Sequence, residues 1–162
     1  MLALAIDGVE EALARLDGFG AGLRRSLAAK AANLASALAE KVRGEKLSGE
    51  VLPARGGALR ASIASMTIIE GDAVLASVGS YGDVKYAAIQ EYGGKTSAHE
   101  IVPSKADVLA FMAGGAARFA RRVEHPGSVV PERSYLRSSL AEMSDEILTE
   151  FAAAPLAAWE AP

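Results

Sequence analysis

Cysteine is absent from the 162 residues, so disulfide staples and thiolate metal sites are excluded and synthesis in a reducing cytoplasm is expected. Aromatic side chains are scarce at 6%, although hydrophobic residues reach 51%. The apolar content is therefore mostly alanine, leucine and valine, which suits closely packed helices better than a thick aromatic core. Neither charge sign dominates: 17 Lys plus Arg stand against 20 Asp plus Glu, a formal net charge of −3. Such a chain lacks the basic surface with which nucleic-acid binders neutralise many phosphates. No apolar run approaches the roughly 20 residues of a membrane-spanning helix, so no membrane partner is expected. The opening MLALAIDGVEE has no basic n-region and leads straight into acidic residues. Its alternation of Leu2, Leu4 and Ile6 with alanines predicts a short strand, closed by a turn or helix cap at Asp7-Gly8.

The length fits a single domain, residues 1–162, with a core that needs no staples. Helical signals run from Val9 to Val42 and are interrupted at Gly18-Phe19-Gly20, where a bend or break is expected. The stronger stripe is Leu23, Leu27, Ala31, Leu34, Leu38 and Val42, the spacing of an amphipathic helix with one apolar face. A helix laid on a sheet, a partner helix and a coiled coil all fit this stripe; the absence of sustained heptads favours the first. Gly44 is the expected C-terminal cap. Glu45–Gly57, EKLSGEVLPARGG, has no period and reads as a long loop. It is either a tolerated surface insertion or a segment that orders when neighbouring subunits arrive.

Ala58–Ser80 reads as a hairpin turning at Glu70-Gly71-Asp72, and Tyr86–Tyr92 as a short helix ended by Gly93-Gly94. A second hairpin pairs Asp107–Met112 with Ala117–Glu124 around Ala113-Gly114-Gly115. Glu132–Phe151 is the closing helix, with Pro131 near its start, and the tail from Pro155 to Pro162 is expected to be irregular. The fold class is α+β: a mostly antiparallel sheet with a long N-terminal helix and a C-terminal helix packed on it.

Chemistry-bearing patterns are few. His99 and His125 are the only histidines, and with Glu91 or Glu100 they offer imidazole and carboxylate ligands for zinc or iron. No HExxH or His-x-His spacing supports a metal site, the two lie in different segments, and His125 before Pro126-Gly127 suits a turn whose imidazole caps backbone groups. There is no Gly-x-Ser-x-Gly elbow and no glycine-rich phosphate loop; Gly56-Gly57 and Gly114-Gly115 fit turns. Neither catalytic residues nor a cofactor site is expected, and the chain does not read as an enzyme. Arg118, Arg121, Arg122, Arg133 and Arg137 make the only notable basic cluster, which could face DNA in a channel or acidic patches on a neighbouring subunit; inter-subunit salt bridging is preferred, with a solvated face as the alternative. If Arg121 and Arg122 share a strand, they point to opposite faces. Glu91 is either a partly buried carboxylate satisfied within the fold or an interface group.

Several elements, in order, carry a resemblance: KYAAIQEYGG (Lys85–Gly94), SAHEIVPSKADVLAF (Ser97–Phe111), FARRVEHPGS (Phe119–Ser128) and VPERSYLRSSL (Val130–Leu140). Over Ala58–Leu140 the chain resembles the minor tail-component family of long-tailed bacteriophages, the gene-product-ten-like tail-completion or head–tail joining proteins. It departs from the common pattern at Ser134-Tyr135-Leu136, where Phe-Leu is usual, and at Gly94-Lys95, where Gly-Thr is frequent. The resemblance implies a virion protein of the neck or upper tail, made in the host cytoplasm and forming a ring, often a hexamer. Its implied partners are further copies of itself, a head-completion protein and the tail tube, with DNA only as cargo in the channel. A closed ring needs heterologous interfaces. The long loop, with Leu47, Val51 and Leu52, can reach a neighbour, and Glu91, Arg118, Arg122, Arg133 and Arg137 complete the interface candidates. Exposed hairpin edges can extend a sheet across subunits. The alternative from a different class is a small cytoplasmic metal-dependent or binding module using His99, His125 and Glu91.

Overall fold

The computed structural model of the chain describes residues 7–49, 57–71 and 73–160. The expected N-terminal strand and most of the loop before Gly57, including Val51 and Leu52, lie outside the described residues. The chain forms two compact units, Met1–Ala87 with Ser134–Pro162 and, between them in sequence, Ala88–Arg133.

The first unit is built on helix α1, Val9–Lys41, whose 33 residues span about 50 Å at 1.5 Å per residue. Its buried positions are Ala31, Leu34, Ala35, Leu38 and Ala39, the C-terminal part of the expected stripe. The break expected at Gly18-Phe19-Gly20 does not occur. Two glycines cost a helix about 1 kcal/mol each relative to alanine, but a distant segment supports this stretch. Phe19 meets Trp159 edge-on at 5.7 Å, and the Arg15 guanidinium lies 5.2 Å from the centre of the same indole. Nor does Gly44 end the helix. Val42–Lys46 forms a π-helical turn in which the Leu47 N–H donates to the Val42 carbonyl at 3.0 Å. One residue beyond α-helical spacing lets both Val42 and Leu47 enter the core.

Ala58–Ser62 is a helical turn, α2, where the first arm of the hairpin was expected to begin; Gly57 before it has φ 67°. Leu59 of this turn is buried, and the Ser62 hydroxyl donates to the Leu59 carbonyl at 2.8 Å. Strands β1 (Ile63–Glu70) and β2 (Ala73–Ser80) then pair antiparallel, with Ile63 opposite Ser80 and Glu70 opposite Ala73. Alternation puts Ile63, Ser65, Thr67, Ile69, Val74, Ala76 and Val78 on one face. That face meets α1, where the Ser36 and Ser65 hydroxyls lie 3.5 Å apart and Ile63 and Val78 join the core. The other face carries Ala64, Met66, Ile68, Glu70, Ala73, Leu75, Ser77 and Gly79, and both Met66 and Leu75 are exposed.

The closing helix is two helices. It begins at Tyr135, not Glu132, because Ser134 adopts a left-handed conformation (φ 41°), and it breaks at Met143. Helix α4 is therefore Tyr135–Glu142; helix α5, numbered after α3 of the second unit, is Ser144–Glu160. The expected irregular tail is also corrected: α5 runs through Pro155 to Glu160. Packing holds it there, since Ala154 is fully buried and Trp159 lies against Phe19 and Arg15. Lys30 pairs with Glu150 at 2.5 Å between α1 and α5. The core collects Leu38, Ala39, Val42, Leu47, Leu59, Ile63, Tyr135 and Met143. Tyr135 brings its hydroxyl into this core and donates it to the Ala87 carbonyl at 3.2 Å.

The second unit follows from helix α3, Ala87–Tyr92. Its strands are short antiparallel pairs: β3 (Gly94–Lys95) with β8 (Val129–Val130), β4 (His99–Ile101) with β7 (Val123–His125), and β5 (Leu109–Ala113) with β6 (Ala116–Ala120). The chain is α+β, and among the described residues every strand pair is antiparallel, but the strands make four two-stranded ladders in place of one sheet. The second hairpin is shorter than expected and turns on Gly114 (φ 61°) and Gly115 (φ 79°), the double positive φ of a tight hairpin turn. Val123–His125, expected in its returning arm, pairs instead with His99–Ile101.

Candidate functional site

The KYAAIQEYGG element orients its side chains unequally. Glu91 is 3% exposed, whereas Tyr86 and Tyr92 face solvent. The element ends in a close approach of backbone: a Cβ on Gly93 (φ 68°) would lie 2.7 Å from the Glu132 nitrogen. Beside it the Arg133 N–H donates to the Gln90 carbonyl at 3.0 Å. The Glu-Tyr-Gly-Gly and Pro-Glu-Arg segments are thus two sides of one corner, with the β3–β8 ladder adjoining.

His99 and His125, distant in sequence, are direct cross-strand partners in β4 and β7. Their rings stack with centroids 5.0 Å apart and planes inclined by 27°. The Gly127 N–H donates to His125 Nδ1 at 3.0 Å, which fulfils the expectation of a turn capped by this imidazole. His99 Nδ1 lies 3.1 Å from the Ser97 carbonyl oxygen, which can only accept. In the neutral rings the proton therefore sits on Nδ1 of His99 and on Nε2 of His125. Among the described residues no three His, Asp or Glu side chains converge as a metal-ligand set, so Glu91 does not join the two imidazoles.

The arginines fall on several different elements. Arg118 is exposed on β6, opposite Phe111. Arg121 and Arg122 fall between β6 and β7, so the expectation that they share a strand with opposed faces is corrected. Arg122 reaches Glu100 of its own chain at 3.6 Å. Arg133 is half-buried, and Arg137 belongs to α4 of the first unit. Leu47 is 3% exposed inside the core, which removes it as an interface side chain; the π-helical turn draws it inward.

Sequence reasoning did not single out two exposed apolar surfaces. One is the outer face of β1–β2. The other is the β5–β6 ribbon, in which Met112 and Phe119 are each 70% exposed. Alternation places Ala110, Met112, Ala117 and Phe119 on one side of the ribbon, and Leu109, Phe111, Ala113, Ala116, Arg118 and Ala120 on the other. The signal was present in the unbroken run of apolar and small residues around Gly114-Gly115, which has no polar alternate face.

The clearest electrostatic cluster is structural. Glu142 pairs with Lys46 at 2.5 Å and with Lys41 at 3.1 Å, and Lys41 also pairs with Glu45 at 2.7 Å. Hydrogen bonds from Lys46 and then Lys41 hold the Glu142 carboxyl below its ordinary value; those to Glu45 and Glu142 raise Lys41. A shallow depression lined by Arg15, Phe19, Arg25, Trp159 and Glu160 holds no nucleophile–base pair. No described helix is long and apolar enough to cross a membrane. Comparison with protein-family models, curated proteins and solved structures found no match to this chain.

Proposed function

We propose that the chain is a structural and assembly protein of a tailed bacteriophage, or of a particle derived from one, with no enzymatic activity. Copies close into a ring, a hexamer, at the junction of head and tail. The ring completes the tail and joins it to the head, with a head-completion protein on one side and the tail tube on the other. Made in the host cytoplasm, it ends in the neck or upper tail of the virion, where DNA passes through its channel.

The observation that carries this reading is the β5–β6 ribbon, apolar on both sides apart from Arg118 and largely exposed on both. A two-stranded ribbon alone is at best marginally stable in water, and free strand edges invite pairing. A chain that presents such a ribbon gains most when another protein covers it. The corner formed by KYAAIQEYGG and the Pro-Glu-Arg segment adds support, because Glu91 there is buried within the fold. Deletion of the gene is expected to leave filled heads beside free tails in electron micrographs. Normal infectious, joined particles from the deletion strain would end the proposal.

A further inference from the structure

Among the described residues neither the ribbon nor the β1–β2 hairpin pairs with a third strand, although Arg43 donates to the Ile63 carbonyl at the start of β1. Each carries one charged residue within its strands, of opposite sign. Among the ten strand residues of β5 and β6 it is Arg118, and among the sixteen of β1 and β2 it is Glu70. Neither makes an ion pair with any described residue, although both are exposed.

We propose that copies of this chain join by strand addition: β6 of one copy pairs along the free edge of β1 in the next, with Arg118 set against Glu70. The two faces of the joined sheet then match. On one, the uncharged Ala110, Met112, Ala117 and Phe119 continue the β1–β2 face that α1 partly covers, beside the exposed Ile69 near its tip. On the other, Phe111 and Leu109 continue Met66, Ile68 and Leu75, and Arg118 and Glu70 share that side. A register one residue out would place Arg118 on the helix-covered side, where it has no carboxylate, so the charge pair also fixes register. Main-chain hydrogen bonds supply the attraction and the single ion pair the selectivity. The donor and acceptor surfaces differ, so the contact is heterologous: it does not end at a dimer, and it makes a ring where its rotation closes. With Arg118 set against Glu70, the last residue of β1, only three residues of β6 lie alongside that strand, far less than the roughly 800 Å² per partner of a stable standard interface, so isolated copies associate weakly.

The inference rests on the ring reading, and the test separates the two. The full chain with Arg118→Lys keeps the charge and offers an amine that a carbodiimide can join to a carboxylate in contact with it. Treated at high protein concentration, it is expected to give dimers and higher multiples. Peptide mass spectrometry of those bands should find the introduced amine linked to Glu70, and the linkage should vanish when Glu70→Gln is added. Arg118→Glu or Glu70→Arg alone should weaken association several-fold, and mixing these two variants should restore it, because every contact in an alternating ring then pairs opposite charges. Circular dichroism checks that each variant folds. Multimers held only by other linkages, or indifferent to both reversals, would overturn this contact while leaving the ring intact. Sedimentation showing monomer at every concentration would overturn this contact, whereas the ring reading falls only with joined, infectious particles from the deletion strain.

Discussion

Gly127 lies so close to Thr96 that a Cβ added to it would stand 2.1 Å from the Thr96 carbonyl oxygen. Its φ of 86° is also one that side chains avoid. On either side, the Ser128 N–H donates to the Thr96 hydroxyl at 2.7 Å and the Gly127 N–H to His125. The His-Pro-Gly segment is thus a clamp between the β3–β8 and β4–β7 ladders.

Gly127→Ala should therefore cost more than the roughly 1 kcal/mol of a positive φ alone, about 3 kcal/mol or more. Gly115→Ala isolates the difference, because Gly115 has a similar φ of 79° but nothing within 4 Å of an added Cβ. Urea denaturation of the two variants should separate them clearly. Equal losses would show that the approach to Thr96 relaxes at little cost.

The imidazole of His125 acts through its acceptor atom. His125→Ala should lose about 1 kcal/mol by leaving the Gly127 N–H unsatisfied. His125→Asn, whose amide oxygen can accept the same bond, should recover part of it. Long-range nitrogen–proton NMR correlations of the neutral rings should find the proton on Nδ1 of His99 and on Nε2 of His125. The reverse tautomers would contradict the hydrogen bonding described.

Truncation should distinguish the two ends of β1. Ile63 is 1% exposed in the core, so Ile63→Ala should cost about 2–5 kcal/mol. Ile69 is 55% exposed on the same strand, and Ile69→Ala should change stability by within about 0.5 kcal/mol in the free chain. Thermal or urea unfolding measures both.

Glu142 supplies a pH dependence of known sign. Its folded value lies below the ordinary 4.5, so its stabilisation is present above that value and is lost as pH falls through the lower folded one. Lys41 behaves oppositely: raised above 10.5, its contribution is present below that value and lost as pH rises through the folded one. Glu142→Gln should lower the urea midpoint near neutrality and converge with the parent chain in acid. Because the group is at the surface, added salt should shrink the difference.

Local patterns revealed much of the first unit. The Leu23-to-Val42 stripe marks α1, and Glu70-Gly71 marks the β1–β2 turn, because each rests on neighbours a few residues away. Where the reading failed, a distant contact decided. Gly18 and Gly20 stay helical beside Trp159, and Pro155 stays helical because the packed end of α5 outweighs its missing donor. The π-helical turn that buries Leu47 leaves no periodic trace, since its purpose is to shift the period. Of the candidate site, Glu91 and the role of His125 in its turn were legible. The stacking of His99 on His125 was not, because only strand register brings them together. Arg118 was legible as a charge, but its isolation among apolar residues has meaning only once the ribbon is seen to stand open on both sides.

The π-helical turn after α1 works as a phase shifter. Each helical residue advances the chain by about 100° around its axis, so the extra residue in Val42–Lys46 resets the direction in which everything beyond it departs. Held to α-helical phase, the same residues would carry Leu47 about 140° around the axis from Val42 and off the core side. The Lys46–Glu142 pair would lose its alignment in the same movement. One inserted residue thereby ties the burial of Leu47 to the seating of α4, whose Glu142 is held by the neighbouring Lys46.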